Sequence, residues 1–268
     1  MYSDISEEKF VYLRNNIYFC IVKQKKRIIA LLAGAVICIM LFLEHSPIVA
    51  GGWTKQTLYL WLINFCHIQA KEAKPKVLLI DDDSGNGIYA IKQICDELNI
   101  KATFAVIPTM MSDEIRDSLR CWQKEGFGIA IHGYNHDDWR EWDYKEVFSD
   151  INACERWLTD MGFNIYEIRY VVPPHGSNNM AIRKAIKDKE YQMVMGANMI
   201  NPDTTVFQMG RVFISRDTNI EEIVDLLKRA KKRNCYVIFG SHSSIPEEFA
   251  LEKTKAILSI AIKMGFNI

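Results

Sequence analysis

Two short polar motifs in this chain contain residues that bind metals or transfer protons, and each follows an apolar run. The triplet Asp81-Asp82-Asp83 comes after Val77–Ile80, and His132-Gly-Tyr-Asn-His136 comes after Phe127–Ile131. Each apolar run predicts a short buried strand. Three adjacent carboxylates at a strand end need a cation nearby, because their negative charges repel one another. One carboxylate and two imidazoles would hold a divalent metal, so the two motifs together predict a metal site.

Such a site predicts hydrolysis. Two histidines and one aspartate leave coordination positions open for water and substrate. The metal would lower the pKa of a water toward about 7 and polarise a carbonyl oxygen, and a second carboxylate could take the proton of that water. His242 follows the apolar run Cys235–Phe239 and is the candidate to protonate the leaving group. The predicted reaction class is metal-assisted hydrolysis of an amide or an ester.

The elements that must position these groups alternate between strands and helices from Lys76 onward. About seven strand–helix repeats with nearly continuous apolar strands predict a parallel sheet that closes, or nearly closes, into a barrel covered by helices. In such folds the reactive groups lie at the carboxyl ends of the strands, and all of the polar clusters follow a predicted strand. The predicted strands are Lys76–Ile80, Ala102–Ile107, Phe127–Ile131, Ile165–Val172, Tyr191–Gly196, Arg211–Ile214 and Cys235–Phe239, and the predicted helices are Ile88–Leu98, Asp113–Lys124, Tyr144–Met161, Met180–Lys187, Ile220–Ala230 and Glu247–Met264.

The order of the motifs resembles that of the polysaccharide deacetylases, carbohydrate esterase family 4, over about residues 76–268. The counterparts are Ile80–Ser84, His132–His136, Val172–Gly176 and Phe239–His242. The resemblance implies a deformed (β/α)7-type barrel, a divalent metal that is most often Zn²⁺, and removal of acetyl groups from an N-acetylated glycan. It implies the following roles: Asp82 as the base, His242 as the acid, Asp83, His132 and His136 as metal ligands, and Pro174, His175 and Gly176 as substrate contacts.

The triplet contains one carboxylate more than the family motif needs, so its register is open. We prefer Asp82-Asp83 as the pair of base and ligand, with Asp81 at the position of the family's Phe. In the alternative, Asp81-Asp82 is the pair and Asp83 lies at the family's Gly position. Gly133 also replaces the hydroxyl residue usual between the two histidines.

The third motif departs further from the family pattern. Val172 stands where the family has an arginine, and His175 stands at a position that is usually aromatic. Arg169 is close to the motif but out of register, and is a candidate to support the base. Asp203 is a candidate for the family's supporting aspartate.

The N-terminal quarter of the chain predicts a membrane anchor. The uncharged run Ile28–Leu43 follows the basic segment Lys23–Arg27, which predicts a cytoplasmic N-terminus and an extracytoplasmic catalytic domain. A cleaved signal peptide, with a secreted product, and a buried soluble helix are the alternatives. The predicted organisation is a cytoplasmic segment at 1–27, a transmembrane signal anchor at 28–49, a linker at 50–75 and the catalytic domain at 76–268.

The composition excludes other classes of protein. Lys plus Arg and Asp plus Glu both number 33, so the chain lacks the basic balance of a nucleic-acid-binding protein. The seven cysteines form no CxxC pair, and a domain of this size is not expected to need a disulfide framework. The oligomeric state is not fixed by the sequence.

Three hypotheses remain open at this point. The first is a membrane-tethered deacetylase of N-acetylated glycans, and the second is an amidase that acts on another C–N substrate. The third is a degenerate glycan-binding module, motivated by the missing arginine of the third motif. Retention of all the candidate metal ligands argues against the third.

Overall fold

The computed structural model describes residues 75–197, 199–202 and 206–268. Seven parallel strands close into a barrel in chain order, with the last strand pairing with the first. This architecture confirms the α/β barrel predicted from the alternating pattern. The strands are β1 Lys76–Asp81, β2 Thr103–Val106, β3 Gly128–Ile131, β4 Tyr170–Val171, β5 Gln192–Gly196, β6 Gln208–Phe213 and β7 Tyr236–Ser241.

Helices cover the outside of the barrel. Those among the described residues are α1 Ile88–Leu98, α2 Asp113–Lys124, α3 Tyr144–Asp160, α4 Met180–Asp188, α5 Ile220–Lys232 and α6 Leu251–Lys263. The predicted bounds of α1 and α2 are correct. A side-chain cap explains the start of α2, because Ser112 accepts a hydrogen bond from the backbone N–H of Ile115.

Most other predicted bounds are shifted by one to three residues, but two predicted elements begin four or five residues too early. The strand predicted at Ile165–Val172 is instead a 3₁₀ turn, Ile165–Glu167, followed by the two-residue strand β4. Asn164 accepts a hydrogen bond from the backbone N–H of Tyr166, and this cap favours the turn. The helix predicted from Glu247 begins only at Leu251, because 245–249 form a separate turn.

The core has two layers, separated by the wall of the barrel. One cluster, mostly of alanine, valine and isoleucine, fills the barrel interior, and the larger one lies between strands and helices. Successive residues of a strand point to opposite sides of the sheet. The inward set includes Ile80, Ala105, Ala130, Val172, Val194, Met209 and Ile238.

This alternation determines which side chains reach the catalytic end of the barrel. Two residues after inward-facing Ile80, Ala130 and Met209 come Asp82, His132 and Arg211. These three polar residues are buried. They lie at the carboxyl ends of their strands, where parallel α/β barrels carry their reactive groups.

The predicted anchor at 28–49, its alternatives and Asp203 fall outside the described residues, so they remain predictions. Within the described ranges, no helix combines the length and apolar character that a membrane crossing requires.

Candidate active site

Asp83, His132 and His136 converge at the carboxyl end of the barrel. One ligand atom from each lies within 4.8 Å of the other two, and this is the one such cluster of metal-binding side chains found among the described residues. Oδ1 of Asp83 is 3.3 Å from Nε2 of His132 and 3.5 Å from Nε2 of His136. The structure therefore brings together the three residues predicted as metal ligands.

The hydrogen bond of His132 fixes which ring nitrogen faces this cluster. Its Nδ1 lies 2.6 Å from the carbonyl oxygen of Val172, which can only accept, so Nδ1 carries the proton. In the neutral ring, Nε2 then directs a lone pair toward Asp83. Ligating histidines commonly have this second contact, which orients the ring.

A test of metal binding comes from Asp83 itself. Its Oδ1 is buried and has no hydrogen-bond partner among the described residues, although it is the atom nearest both histidine rings. A buried carboxylate oxygen without a partner costs free energy. A cation among these three donors would remove that cost, so the residues fit a divalent metal.

Asp82 is held by an arginine that the sequence analysis did not select. Nη1 and Nη2 of Arg211 donate to Oδ1 and Oδ2 of Asp82 at 2.7 and 2.6 Å, and both residues are buried. Burial raises the pKa of Asp82, but the charges of Arg211 and His132 and the hydrogen bonds from His242 and Arg211 together outweigh it and hold this pKa well below its ordinary value. Asp82 is therefore ionised at any pH at which the protein would work.

Arg169, the predicted support for the base, lies elsewhere. It is exposed and borders a cavity at the opposite end of the barrel, together with Lys76 and Thr103 at the starts of their strands. The prediction for Arg169 is wrong because a residue that precedes β4 lies at the amino end of the barrel. Arg211 lies near the end of β6, at the same end as Asp82.

A glycine makes room for Arg211. A Cβ on Gly240 of β7 would lie 3.1 Å from Cδ of Arg211 and 3.0 Å from the ring of Phe213. The guanidinium also lies 4.6 Å from the centre of that ring, which supports it on one side. The inward position of Arg211, two residues after Met209, was the sequence signal that could have found it.

Asp81 has a different environment from its two neighbours. It faces outward from the barrel, is fully buried, and accepts hydrogen bonds from the Ser241 hydroxyl at 2.6 Å, the Ser243 backbone at 3.0 Å and the Ser243 hydroxyl. Burial raises the pKa of Asp81 to about 7. Asp82 and Asp83 thus face the site, as in the preferred register, while Asp81 joins β1 to the segment after β7.

His242 lies next to Asp82 at the end of β7. Its Nε2 is 3.5 Å from Oδ2 of Asp82, and its Nδ1 is 2.8 Å from Oε2 of Glu248. Burial lowers the pKa of His242, but the hydrogen bonds to Asp82 and Glu248 outweigh it and raise this pKa to about 9. The ring therefore carries a proton near neutral pH, as a general acid requires.

The third motif borders the cluster rather than entering it. Pro174 is buried, and a Cβ on Gly133 would lie 2.7 Å from its Cγ. His175 is exposed and packs against the ring of His136 at a tilt of 42°, with ring centres 4.4 Å apart. Its Nε2 contacts the His136 carbonyl at 3.1 Å. Gly176 is exposed and has a φ of +65°, which favours glycine. These residues form the rim beside His136, where a substrate would approach.

The chain resembles known proteins in sequence over part of its length. Residues 69–194 match the family model for polysaccharide deacetylase. An uncharacterized protein of Methanocaldococcus jannaschii is 27% identical over 112 residues, which cover 41% of this chain and 39% of that protein. The match thus spans well under half of that relative.

Solved structures share the fold at low sequence identity. The chitin deacetylase of Colletotrichum lindemuthianum aligns with a TM-score of 0.56 and 16% identity over 75% of this chain and 86% of that one. A family 4 acetyl xylan esterase of Clostridium thermocellum, in complex with a cobalt ion, gives 0.54 and 16% over 72% and 86%. A carbohydrate esterase family 4 pseudoenzyme of Bacillus anthracis gives 0.51 and 16% over 75% and 65%. Both enzymes and a pseudoenzyme therefore share this barrel.

Proposed function

We propose that this chain, whose residues 69–194 match the family model for polysaccharide deacetylase, is a metal-dependent hydrolase that removes acetyl groups from an N-acetylated polysaccharide or oligosaccharide. The observation that carries this proposal is the position of Asp82, 3.8 Å from Nε2 of His132 and 3.5 Å from Nε2 of His242. A base therefore lies close to both a metal-binding cluster and an acid, as amide hydrolysis needs.

Asp83, His132 and His136 would hold the metal, and Zn²⁺ is the ion we propose because imidazole and carboxylate ligands suit it. When bound, the ion would acidify a water and polarise the acetyl carbonyl. The acetyl xylan esterase of the same fold was solved in complex with a cobalt ion, which supports the proposal of a divalent ion for this protein.

Asp82 is the proposed general base. Its ionised carboxylate accepts one proton from the attacking water, whose oxygen forms the new bond to the acetyl carbon. The two hydrogen bonds from Arg211 fix the orientation of the Asp82 carboxylate, and the positive charge of Arg211 keeps that carboxylate ionised before the reaction. This arginine supplies the charge that the third motif lacks, which weakens the hypothesis of a degenerate binding module.

His242 is the proposed general acid. As the C–N bond breaks, its Nε2–H donates a proton to the amine nitrogen, which leaves as a neutral amine. The products are acetate and the free amino sugar. The raised pKa of His242 keeps this proton in place near neutral pH.

The substrate we propose is a glycan outside the cytoplasm. The basic segment at 23–27 and the apolar run after it support this location through the predicted anchor. The exposed rim at His175 and Gly176 would contact the sugar next to the acetyl group.

The proposal is tested by measuring acetate release from chitooligosaccharides, peptidoglycan fragments and acetylated xylan. The full chain is first loaded with Zn²⁺ or Co²⁺, and Asp82→Asn serves as the inactive comparison. We expect acetate and free amino groups in equal amounts from at least one N-acetylated substrate. Acetate from xylan alone would make the protein an esterase, and none from any substrate would refute the proposal.

A further inference from the structure

The imidazole of His242 lies between two carboxylates on opposite ring nitrogens. Nδ1 contacts Glu248 at 2.8 Å, and Nε2 faces Asp82 at 3.5 Å. Ionised carboxylates only accept hydrogen bonds, so both ring nitrogens must carry protons to satisfy them. Only the imidazolium form of His242 carries a proton on both ring nitrogens.

A tight turn brings Glu248 back to the histidine. The backbone N–H of Ile245 donates to the His242 carbonyl at 3.1 Å, and the N–H of Glu248 donates to the Ile245 carbonyl at 3.0 Å. These two bonds fold the segment back within six residues. The distance between the side chains of His242 and Glu248 is therefore set by this turn and does not depend on another strand or helix.

The backbone on both sides of His242 is fixed as well. Asp81 accepts hydrogen bonds from Ser241 and from Ser243, the two residues that flank the histidine. The ring of Phe213 packs against the imidazole at a tilt of 41°, with ring centres 4.5 Å apart. The remaining freedom of the side chain is rotation of the ring, and the hydrogen bond to Glu248 limits it.

We propose that Glu248 is the positioning residue of the acid, holding His242 with its Nε2–H directed at the leaving amine. This role rests on the proposed function. Glu248 acts through Nδ1–H, which stays on the ring while the Nε2 proton moves to the amine. It remains a carboxylate throughout, and solvent returns the proton to Nε2.

The charges around His242 predict how large the effect is. Asp82 and Asp83 face it from the end of β1, Arg211 lies behind Asp82 on β6, and Glu248 faces it from the following turn. The Glu248 side chain is 54% exposed, so water screens its charge more than that of buried Asp82. Its removal should reduce the proton affinity of the ring without abolishing it.

Two variants separate orientation from charge. Glu248→Gln keeps an acceptor for Nδ1–H but removes the charge, and Glu248→Ala removes both. Glu247→Gln is the matched control, because Glu247 is exposed and adjacent and makes no hydrogen bond or ion pair within the described ranges. The metal-loaded variants are assayed for kcat and KM between pH 5.5 and 10, and the ring nitrogens of His242 are titrated by NMR.

We expect Glu248→Ala to lower kcat about 10-fold or more, with KM changed less than about 2-fold, since losing a group that orients a catalytic histidine typically costs about 10–100-fold. Glu248→Gln should lose less activity but move the alkaline limb of kcat, and the NMR titration of His242, to lower pH. A normal kcat and alkaline limb in both variants would overturn the role of Glu248. No acetate from the wild-type enzyme would instead refute the proposed function, and the NMR titration would still decide whether Glu248 holds the proton on His242.

Discussion

Arg211 and Asp82 form a buried, two-pronged ion pair between residues that are 129 positions apart in the chain. Both lie at inward positions at the carboxyl ends of their strands. Breaking such a pair by removing one partner leaves an uncompensated buried charge. In this protein that charge would belong to the proposed base.

The first prediction concerns this pair. Arg211→Lys retains a positive charge but cannot donate two parallel hydrogen bonds, so we expect kcat/KM to fall about 10-fold or more. Arg211→Met removes the charge as well and should lower the free energy of unfolding by about 3–5 kcal/mol. Steady-state acetate release and urea unfolding measure the two effects.

Arg229→Lys, on the exposed face of α5, is the control for the effect of replacing an arginine by a lysine. It should leave both quantities unchanged. Equal activity of Arg211→Lys and Arg229→Lys would show that the geometry of the guanidinium has no part in catalysis.

Much of the fold was predictable because its strands are short, apolar and regularly spaced. The bounds of α1 and α2 follow from local signals, an apolar stripe and, for α2, a serine cap. Strand β4 was too long in the prediction because an apolar run cannot reveal that Asn164 starts a turn. Closure of the barrel followed from the number of repeats.

The site was predictable where its residues are close in sequence. His132 and His136 lie within one motif, and both reach Asp83. Arg211 and Glu248 could not be found in this way, because the family motifs place no arginine on β6 and no glutamate after the histidine. Contacts of this kind depend on strand register and on a turn, which no motif encodes.

The second prediction concerns the metal. Asp83 has a φ of 69°, and asparagine tolerates this conformation better than other residues with a side chain. Asp83→Asn therefore removes the charged ligand with little backbone strain. We expect stoichiometric Zn²⁺ to be lost and acetate release to stop, as measured by elemental analysis after dialysis and by the activity assay.

Asp225→Asn is the matched control, because Asp225 is on the exposed side of α5 and pairs only with Lys228 among the described residues. It should retain both metal and activity. Full metal content in Asp83→Asn would place the ligand set elsewhere.

The third prediction concerns Gly133, which lies between the two histidines. Its φ is +77°, and a Cβ there would lie 2.7 Å from Cγ of buried Pro174. We expect Gly133→Ala to lower the free energy of unfolding by about 1–3 kcal/mol and to weaken metal binding, because the strain displaces His132 or His136. Thermal unfolding and metal titration measure these effects.

Gly196→Ala on β5 is a suitable comparison, since no atom lies within 4 Å of a Cβ at that position. It should be nearly neutral. If the two alanine variants have the same stability and metal affinity, the hydroxyl residue usual in the family would be tolerated here, and the loop would be freer than its geometry implies.

The fourth prediction concerns pH and Asp150, whose Oδ2 accepts a hydrogen bond from the backbone of Tyr134 at 2.9 Å. Burial raises the pKa of Asp150 to about 6; the bond from Tyr134 lowers it and the charge of Asp137 raises it. The folded protein thus holds this proton more tightly than the unfolded chain does. The stabilisation from Asp150 is complete below the ordinary pKa of about 4 and is lost as the pH rises through about 6.

Asp150→Asn keeps an oxygen for the Tyr134 N–H and cannot ionise, so its advantage in stability over the wild type should grow between pH 4 and 6.5 and then level off. Urea unfolding at several pH values measures this difference, with the exposed Asp160→Asn at the end of α3 as the control. A difference that is constant with pH would mean that Asp150 ionises equally in the folded and unfolded chain. A difference that grows as the pH falls would reverse the sign and require a cation near Asp150.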